Sequence, residues 1–269
     1  MTARVTILGI LNVTPDSFSD GGEHFALDAA MAHARAMHAA GADVVDVGGE
    51  STRPGAERVD AVEEQRRVIP VIQALSAEGI ATSIDTMSAV TALAAVAAGA
   101  SVINDVSGGL ADPAMPDAMA SSGVDVIAMH WRGHATQMDA LTDYRGAVVD
   151  VVCEELAARR DALVRAGVAA ERIILDPGLG FAKTADQSWQ VLHGIEQVAS
   201  LGHRVLVGAS RKRFVKAVVG DDRSALDAAT AATSVLAAER GVWGVRVHDV
   251  VSTRVALATA AAFARGSVS

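Results

Sequence analysis

The sequence contains little cysteine, lysine or aromatic residue. Its 269 residues include one cysteine, Cys153, so an intrachain disulfide is excluded and a reducing cytoplasm fits best. Cys153 lies in a helix-like stretch, and we interpret it as a small buried hydrophobe rather than a nucleophile. No apolar run approaches the ~20 residues that a transmembrane helix needs. We therefore expect a cytoplasmic protein that does not bind a membrane.

The chain is also short of positive charge. It has 23 Lys and Arg against 32 Asp and Glu, a formal net charge of -9, which disfavours nucleic acid as a partner. The lysines are Lys183, Lys212 and Lys216, so each one needs an explanation. An anionic substrate would need such local basic groups. The 51% hydrophobic content is ample for a large core and excludes a disordered chain.

What the sequence does contain is a repeated alternation of short β-branched runs and Ala-rich segments with helical spacing. The predicted strands are 5–11, 43–47, 82–84, 101–103, 124–129, 172–175, 204–207 and 244–247. The clearest predicted helices are 27–40, 62–78, 88–98 and 147–166, and a glycine follows each of them. Glycine is favoured there because it tolerates the left-handed conformation that ends a helix.

Eight β–α units in roughly 250 residues predict an α/β fold, a (β/α)8 TIM barrel. We find no linker, so we expect one domain spanning residues 1–269. The competing fold is an open, doubly wound sheet. That fold usually carries G-x-G-x-x-G after its first strand, whereas NVTPDSF stands there in this chain.

Strong polar residues follow nearly every predicted strand. They are Asn12, Glu50 to Arg53, Asp85, Asn104 and Asp105, His130, Asp176, Ser210 to Lys212, and Arg246 to Asp249. An isolated Asn or Asp at a strand end is usually a turn former or a helix cap. A whole series at one end of the strands, with no matching series at the other, predicts a site where the carboxyl ends of a barrel converge.

The residue types in this series suit a ligand that is part heteroaromatic and part anionic. Asp85, Asn104 and Asp176 offer donors and acceptors for a planar ring with amide and amine edges. Arg246 can stack on such a ring or hold a phosphate, and Lys212 and Arg53 add positive charge.

The loops add four further expectations. The run 211–213 lies at a predicted helix N-terminus, which favours anion binding over a solvated helix face. Phe18 and Phe181 lie in loops of a protein that is only 3% aromatic, and we interpret them as a wall for an aromatic substrate. Gly178 and Gly180 predict a tight turn. For His130, contact with the ligand and packing at the rim remain equal alternatives.

Taken together, LNVTPDSFSDGG, VDVGGESTRPGA, SIDT, INDVSGG, LDPGLGF, GASRKRF and VRVHD resemble the bacterial dihydropteroate synthase family. The match runs from the first strand to the eighth. It implies an enzyme that joins 6-hydroxymethyl-7,8-dihydropterin diphosphate to p-aminobenzoate, giving 7,8-dihydropteroate and pyrophosphate in folate biosynthesis. It further implies Mg²⁺ as cofactor, a homodimer, and a site for which sulfonamides compete.

The resemblance also implies a role for each matched residue. The pterin would be bound by Asp85, Asn104, Asp176 and Lys212, with Met129 and Arg246 packing on its ring. The diphosphate would be held by Arg246, His248 and the first loop, with Asn12 as the Mg²⁺ ligand. The p-aminobenzoate side would be shaped by Phe18, Thr52, Arg53, Pro54, Phe181, Ser210 and Lys212, and Gly208 would be a further substrate-binding residue. The catalytic residues would be Asp85, Asp176, Lys212 and Arg246.

Three other interpretations remain open. A catalytically degenerate pterin-binding paralogue would have lost a charge-bearing site residue, and none is lost here. A methyl-transfer domain normally works beside a corrinoid-binding module, for which we expect no room in 269 residues. A Schiff-base aldolase using Lys212 would need an apolar setting, whereas Lys212 lies between two arginines. For the apolar stripe at 250–263, packing on the barrel and a subunit interface are both open.

Overall fold

The computed structural model describes residues 4–13, 22–50, 59–134 and 137–267. Eight parallel strands close into one barrel in the order of the sequence, which confirms the predicted TIM barrel. The strands are β1 (Thr6–Asn12), β2 (Val44–Gly48), β3 (Thr82–Asp85), β4 (Val102–Asp105), β5 (Asp125–Met129), β6 (Ile173–Asp176), β7 (Arg204–Val207) and β8 (Gly244–Val247).

Helices follow every strand and surround the barrel. They are α1 (Gly22–Ala39), α2 (Ala61–Ala77), α3 (Ala89–Ala97), α4 (Met115–Ser122), α5 (Val148–Arg165), α6 (Ala185–His193), α7 (Ile195–Ala199), α8 (Arg213–Val219), α9 (Arg223–Glu239) and α10 (Val250–Arg265). Within the described ranges, none of these helices has the length and apolarity that a membrane span requires. The four helices located from the sequence are α1, α2, α3 and α5, and α1 begins five residues earlier than predicted.

The strand ladders run further than the apolar runs in the sequence. β1 pairs with β2 through Asn12 and Gly48, and β3 pairs with β4 through Asp85 and Asn104. The predicted strands 5–11, 82–84 and 101–103 stopped before these residues. The ladder continues because backbone pairing does not depend on side-chain polarity. The polar residues therefore belong to the strands, where the barrel holds them rigidly.

Alternation along each strand divides the core in two. Side chains on one face, such as Ile7, Val45 and Val126, are buried in the large cluster between the barrel and its helices. Side chains on the other face point into the barrel, where a separate cluster fills the interior. Its members are Leu8, Val102, Ile127, Ile174 and Leu206. The polar strand ends Asn12, Asp85, Asn104 and Asp176 lie on this inner face, beyond the apolar cluster, whereas Asp105 lies on the outer face and bonds to Ser107 and Gly109.

The amino-terminal end of the barrel also carries charges, but these form ion pairs. Arg204, at the start of β7, donates to both carboxylate oxygens of Asp125 at 2.7 and 2.8 Å and to the carbonyl oxygen of Glu171 at 2.9 Å. Its guanidinium lies 5.3 Å from the ring centroid of Trp243. Asp43, before β2, pairs with Arg4. The charged side chains at this end are paired with one another, so we expect the site at the opposite end of the barrel.

Replacing Leu8 by alanine should lower the free energy of unfolding by about 2–5 kcal/mol, because the side chain is fully buried inside the barrel and its removal leaves a cavity. Leu93→Ala is the matched control, since Leu93 is 42% exposed on α3, and it should cost about 1 kcal/mol or less. Urea denaturation measures both. Equal losses for the two variants would contradict the packed interior.

Candidate active site

Four polar side chains from four strands meet at the carboxyl end of the barrel. The Arg246 guanidinium donates from Nε to Asp46 at 2.6 Å and from a terminal nitrogen to Asp85 at 2.6 Å. Asn104 donates from Nδ2 to the two carboxylate oxygens of Asp46 at 3.3 and 3.2 Å. Asp46 is completely buried and Asp85 is 7% exposed. We call Asp46, Asp85, Asn104 and Arg246 the carboxylate–guanidinium cluster.

Burial dominates the electrostatics of this cluster. It raises the pKa of Asp85 to about 7, although the charge of Arg246 opposes the rise. Burial also acts to lower the pKa of Arg246, but the carboxylates of Asp46 and Asp85 outweigh it and raise that pKa. The guanidinium is therefore charged at every accessible pH, while one of its carboxyl partners titrates near neutrality.

Asp46 was missed by the sequence analysis. The predicted site residues follow the strands, whereas Asp46 lies inside β2, flanked by Val45 and Val47. A signal was present, because a carboxylate within an apolar strand has to be paired when it is buried. Asp46 lies two residues before Gly48 and so shares its face, which points into the barrel.

A second charged pair lies across the cavity. Burial lowers the pKa of Lys212 to about 8 and raises the pKa of Asp176, and each charge opposes the shift of the other. Lys212 Nζ donates to the Leu179 carbonyl oxygen at 2.6 Å and lies 4.5 Å from the centroid of the Phe181 ring. A Cβ at Gly208 would lie 3.6 Å from Lys212 Nζ and 3.8 Å from an Asp176 oxygen. The absence of a side chain there leaves room for a ligand.

These groups line a cavity of about 280 Å³ at the mouth of the barrel. The predicted site residues that line it are Asn12, Asn104, Met129, Asp176, Phe181, Gly208, Ser210, Lys212, Arg246 and His248. Asp85 does not line it but contacts Arg246, which does. Phe18, Thr52, Arg53 and Pro54 lie outside the described residues.

All three residues of the basic run 211–213 line the cavity, and Arg211 also forms an ion pair outside it. Arg211 has a left-handed backbone (φ 56°) and donates to both oxygens of Asp227 at 2.6 and 2.9 Å. This turn sends Lys212 into the cavity, which Arg213 also lines. Ser210 Oγ lies 2.9 Å from Nδ1 of His248 and accepts from its backbone N–H at 3.1 Å. The run thus contributes side chains to the site from the start of α8 and the residues just before it.

His130 is buried and does not line the cavity. Its Nδ1 lies 2.9 Å from Lys183 Nζ and its Nε2 lies 2.8 Å from Glu155. Burial and the charge of Lys183 lower the pKa of His130 to about 4, so the ring is neutral. From the sequence, contact with the ligand and packing at the rim were equal alternatives for His130. Its contacts with Lys183 and Glu155 were not predicted.

The described residues contain no group of three or more His, Cys, Asp or Glu side chains that could hold a metal ion. Asn12 does line the cavity, and its Oδ1 and an oxygen of Asp85 each lie 3.8 Å from where a Cβ of Gly48 would be. One amide oxygen beside a carboxylate fits a Mg²⁺ ion that takes most of its ligands from a substrate and water. The donor set fits that kind of ion rather than a metal held by protein side chains alone.

Comparisons with known proteins agree with this geometry. Residues 8–248 match the family described as "Pterin binding enzyme". A dihydropteroate synthase of Mycobacterium leprae is 47% identical over 92% of this chain and 89% of its own length. The Clostridium difficile dihydropteroate synthase crystallised in the presence of pteroic acid has a TM-score of 0.92 and 40% identity, covering 98% of both chains. The Xanthomonas albilineans enzyme with 4-aminobenzoic acid has a TM-score of 0.90 and 42% identity, covering 98% of this chain and 94% of its own.

The raised pKa of Asp85 predicts a pH dependence of stability. Between pH 3.8, its ordinary value, and about 7, the folded protein holds a proton that the unfolded chain has released. The contribution of this group to the free energy of unfolding therefore falls as the pH rises through that window, and is constant above it. Asp85→Asn removes the titration but keeps an oxygen facing Arg246.

Urea denaturation of the two proteins between pH 4.5 and 8 measures the effect, since other titrating groups cancel in the difference. Wild-type protein should lose stability relative to Asp85→Asn up to about pH 7. Parallel stability curves for the two proteins would show that the pKa of Asp85 is not raised.

Proposed function

The chain belongs to the family of pterin binding enzymes and acts as a dihydropteroate synthase, and we propose how the residues of its barrel site carry out that reaction. The enzyme is a transferase of folate biosynthesis. It joins 6-hydroxymethyl-7,8-dihydropterin diphosphate to p-aminobenzoate and forms 7,8-dihydropteroate and pyrophosphate. The observation that carries the assignment of roles is the buried carboxylate–guanidinium cluster at the inner end of the cavity.

The pterin binds at this inner end. Asn104 and Asp176 line the cavity there with amide and carboxylate groups, which match the donor and acceptor edges of a pterin. Lys212 adds a cationic donor on the same side, and Gly208 leaves the space for the ring. Met129 and Arg246 pack against the faces of the ring.

The buried charges favour breaking the bond between the pterin methylene carbon and the diphosphate oxygen. The electron pair leaves with the diphosphate, and positive charge develops on the methylene carbon. The carboxylates of Asp85 and Asp176 lie at fixed positions in a region of low dielectric, where they stabilise this charge. The amine nitrogen of p-aminobenzoate then bonds to the carbon and releases a proton. That nitrogen is neutral at pH 7, so no strong general base is needed.

Arg246, His248 and Arg213 hold the leaving diphosphate, because all three line the cavity and carry or can carry positive charge. Asn12 would help to hold a Mg²⁺ ion at the diphosphate. When bound, this ion neutralises part of the charge on the leaving group.

The p-aminobenzoate occupies the outer part of the cavity. Phe181, Ser210 and the stem of Lys212 line it there. Phe18, Thr52, Arg53 and Pro54 would complete this side, where sulfonamides compete. The 4-aminobenzoic acid in the Xanthomonas albilineans structure supports an aromatic amine as second substrate.

We also propose a homodimer in the cytoplasm, with residues 1–269 of each subunit forming one domain. The apolar residues of α10 fall into two groups. Val250 and Leu257 are buried against the rest of the protein. Val251, Val255 and Phe263 are 59%, 61% and 89% exposed. Exposed apolar side chains on one helix face are typical of a subunit interface.

The second candidate function is a pterin-binding paralogue without catalysis. Its basis is that the description of the matching family names pterin binding but no particular reaction. Against it, Asp85, Asp176, Lys212 and Arg246 are all present and close to one another.

Purified protein given the pterin diphosphate should release pyrophosphate only when both p-aminobenzoate and Mg²⁺ are present. A coupled pyrophosphate assay measures this, with EDTA and the omission of p-aminobenzoate as controls. Pterin binding without release would favour the non-catalytic paralogue, and release that survives EDTA would contradict the role of Mg²⁺.

Lys212→Ala should weaken binding of the pterin diphosphate roughly ten- to a hundredfold, because a hydrogen bond from a charged group contributes about 1.5–3 kcal/mol. Lys216→Ala is the matched control, since Lys216 lies four residues further on, is half exposed and pairs with Asp221. Isothermal titration calorimetry measures both dissociation constants. An unchanged affinity in Lys212→Ala would place the lysine outside the pterin site.

A further inference from the structure

Lys183 is almost completely buried, at 4% exposed, and does not line the main cavity. Its Nζ donates to the carbonyl oxygens of Gly178 and Phe181 at 3.1 and 3.2 Å. Both carbonyls belong to the segment Gly178–Lys183 between β6 and α6, which we call the β6–α6 loop. We propose that Lys183 is a positioning residue that holds this loop, and with it Phe181, against the p-aminobenzoate side of the cavity. The inference rests on the proposed function.

The hydrogen-bond partners of Lys183 fix its charge. Burial raises the pKa of Glu155, but hydrogen bonds from His130 and Arg132 outweigh it and lower that pKa to about 2. The Glu155 carboxylate therefore only accepts, and Nε2 of His130 must carry the hydrogen of their 2.8 Å contact. Nδ1 of the neutral ring is then an acceptor.

Lys183 accordingly donates three hydrogen bonds, one to Nδ1 of His130 and two to backbone carbonyls. An ammonium group has three donors and no acceptor, so this geometry matches the charged form. Burial acts in the other direction and lowers the pKa of Lys183 to about 7, while Asp176 opposes it. All three partners favour the ammonium at neutral pH.

The far end of this chain of contacts is anchored in the loop after β5. Arg132 donates to the two oxygens of Glu155 at 3.1 and 2.6 Å and to the carbonyl oxygen of Asp143 at 2.8 Å. Its guanidinium also lies 3.8 Å from the centroid of the Tyr144 ring. The side chain of Lys183 is thus connected through His130 to Glu155, which lies outside the β6–α6 loop.

The loop needs such a hold because its backbone is unusual. Gly178 and Gly180 have φ values of 64° and 77°, and Ala182, which is not glycine, has a φ of 47°. A left-handed conformation in a residue with a side chain costs energy and persists only when its surroundings impose it. Lys183 directly follows Ala182 and reaches back to Phe181 and Gly178.

Two lysines therefore contact the loop from opposite sides. Lys212, in the cavity, donates to the Leu179 carbonyl oxygen and lies against the Phe181 ring. Lys183, outside the cavity, donates to the carbonyls on either side of Leu179 in the turn. Removing Lys183 leaves the contact of Lys212 but frees the backbone that presents Phe181. Binding of p-aminobenzoate should therefore weaken, whereas binding of the pterin should not change.

Lys183→Met tests this, because it keeps most of the length of an unbranched side chain and removes the three donors of the ammonium group. Steady-state kinetics should show the KM for p-aminobenzoate raised about tenfold with kcat changed less than about threefold. The Kd of the pterin diphosphate, measured by calorimetry, should stay within about twofold. Lys216→Met is the matched control and should change none of these values.

A second variant guards against loss of folding in Lys183→Met. Glu155→Gln keeps an acceptor oxygen for His130 but weakens its anchor, so it should raise the same KM by a smaller factor. The double variant should raise KM by less than the product of the two single effects, because the residues act through one chain of contacts.

A stable Lys183→Met variant with an unchanged KM for p-aminobenzoate would overturn the inference, as would equal losses in kcat and pterin affinity. A multiplicative double variant would do the same. If wild-type protein itself released no pyrophosphate, the proposed function would fail, which the wild-type arm distinguishes from failure of the positioning role alone.

Discussion

The guanidinium of Arg246 is shared between two buried carboxylates, and the rest of the site is arranged around that contact. Removing a carboxylate or a guanidinium from water costs several kcal/mol for each ion, which only good geometry and further hydrogen bonds can offset. Here Asp46 and Asp85 each accept a hydrogen bond from one nitrogen of Arg246, and Asn104 donates a further hydrogen bond to Asp46. The barrel must hold four strands in register to keep these distances. The same rigidity gives the reaction fixed charges that need no reorganisation.

The parallel closed topology makes that arrangement possible. Residues two apart along a strand share the inner face, so Leu8 lies in the apolar interior while Asn12, four residues on, reaches the cavity. Because all eight strands run in the same direction, each one brings its polar end to the same mouth. Charge is concentrated at one end, and hydrophobic packing below it provides the stability that the buried ions do not.

The sequence predicted the barrel and most of the cavity lining, because both depend on local patterns. β-branched runs, glycine stops and polar strand ends can be recognised without knowing which residues meet. Asp46 was missed because its partners, Arg246 and Asn104, lie far away in the sequence. Lys183 was noticed as one of three lysines but could not be explained, since its partners are backbone carbonyls and a histidine from another loop. Contacts between distant segments depend on how the segments pack, and this cannot be predicted from composition or from the spacing of residues.

The apolar cluster inside the barrel also affects the order in which substrates enter the site. Leu8, Ile127, Ile174 and Leu206 are fully buried, and Val102 is 5% exposed, so the cavity has a closed floor. Within the described part of the chain, this floor leaves the mouth of the barrel as the route for a ligand, and Phe181 and Ser210 are among the residues that line the cavity. In a cavity that is closed at one end, we expect a molecule that binds deeper to enter before one that binds nearer the mouth. The apolar packing that stabilises the barrel therefore also constrains the order in which substrates enter it.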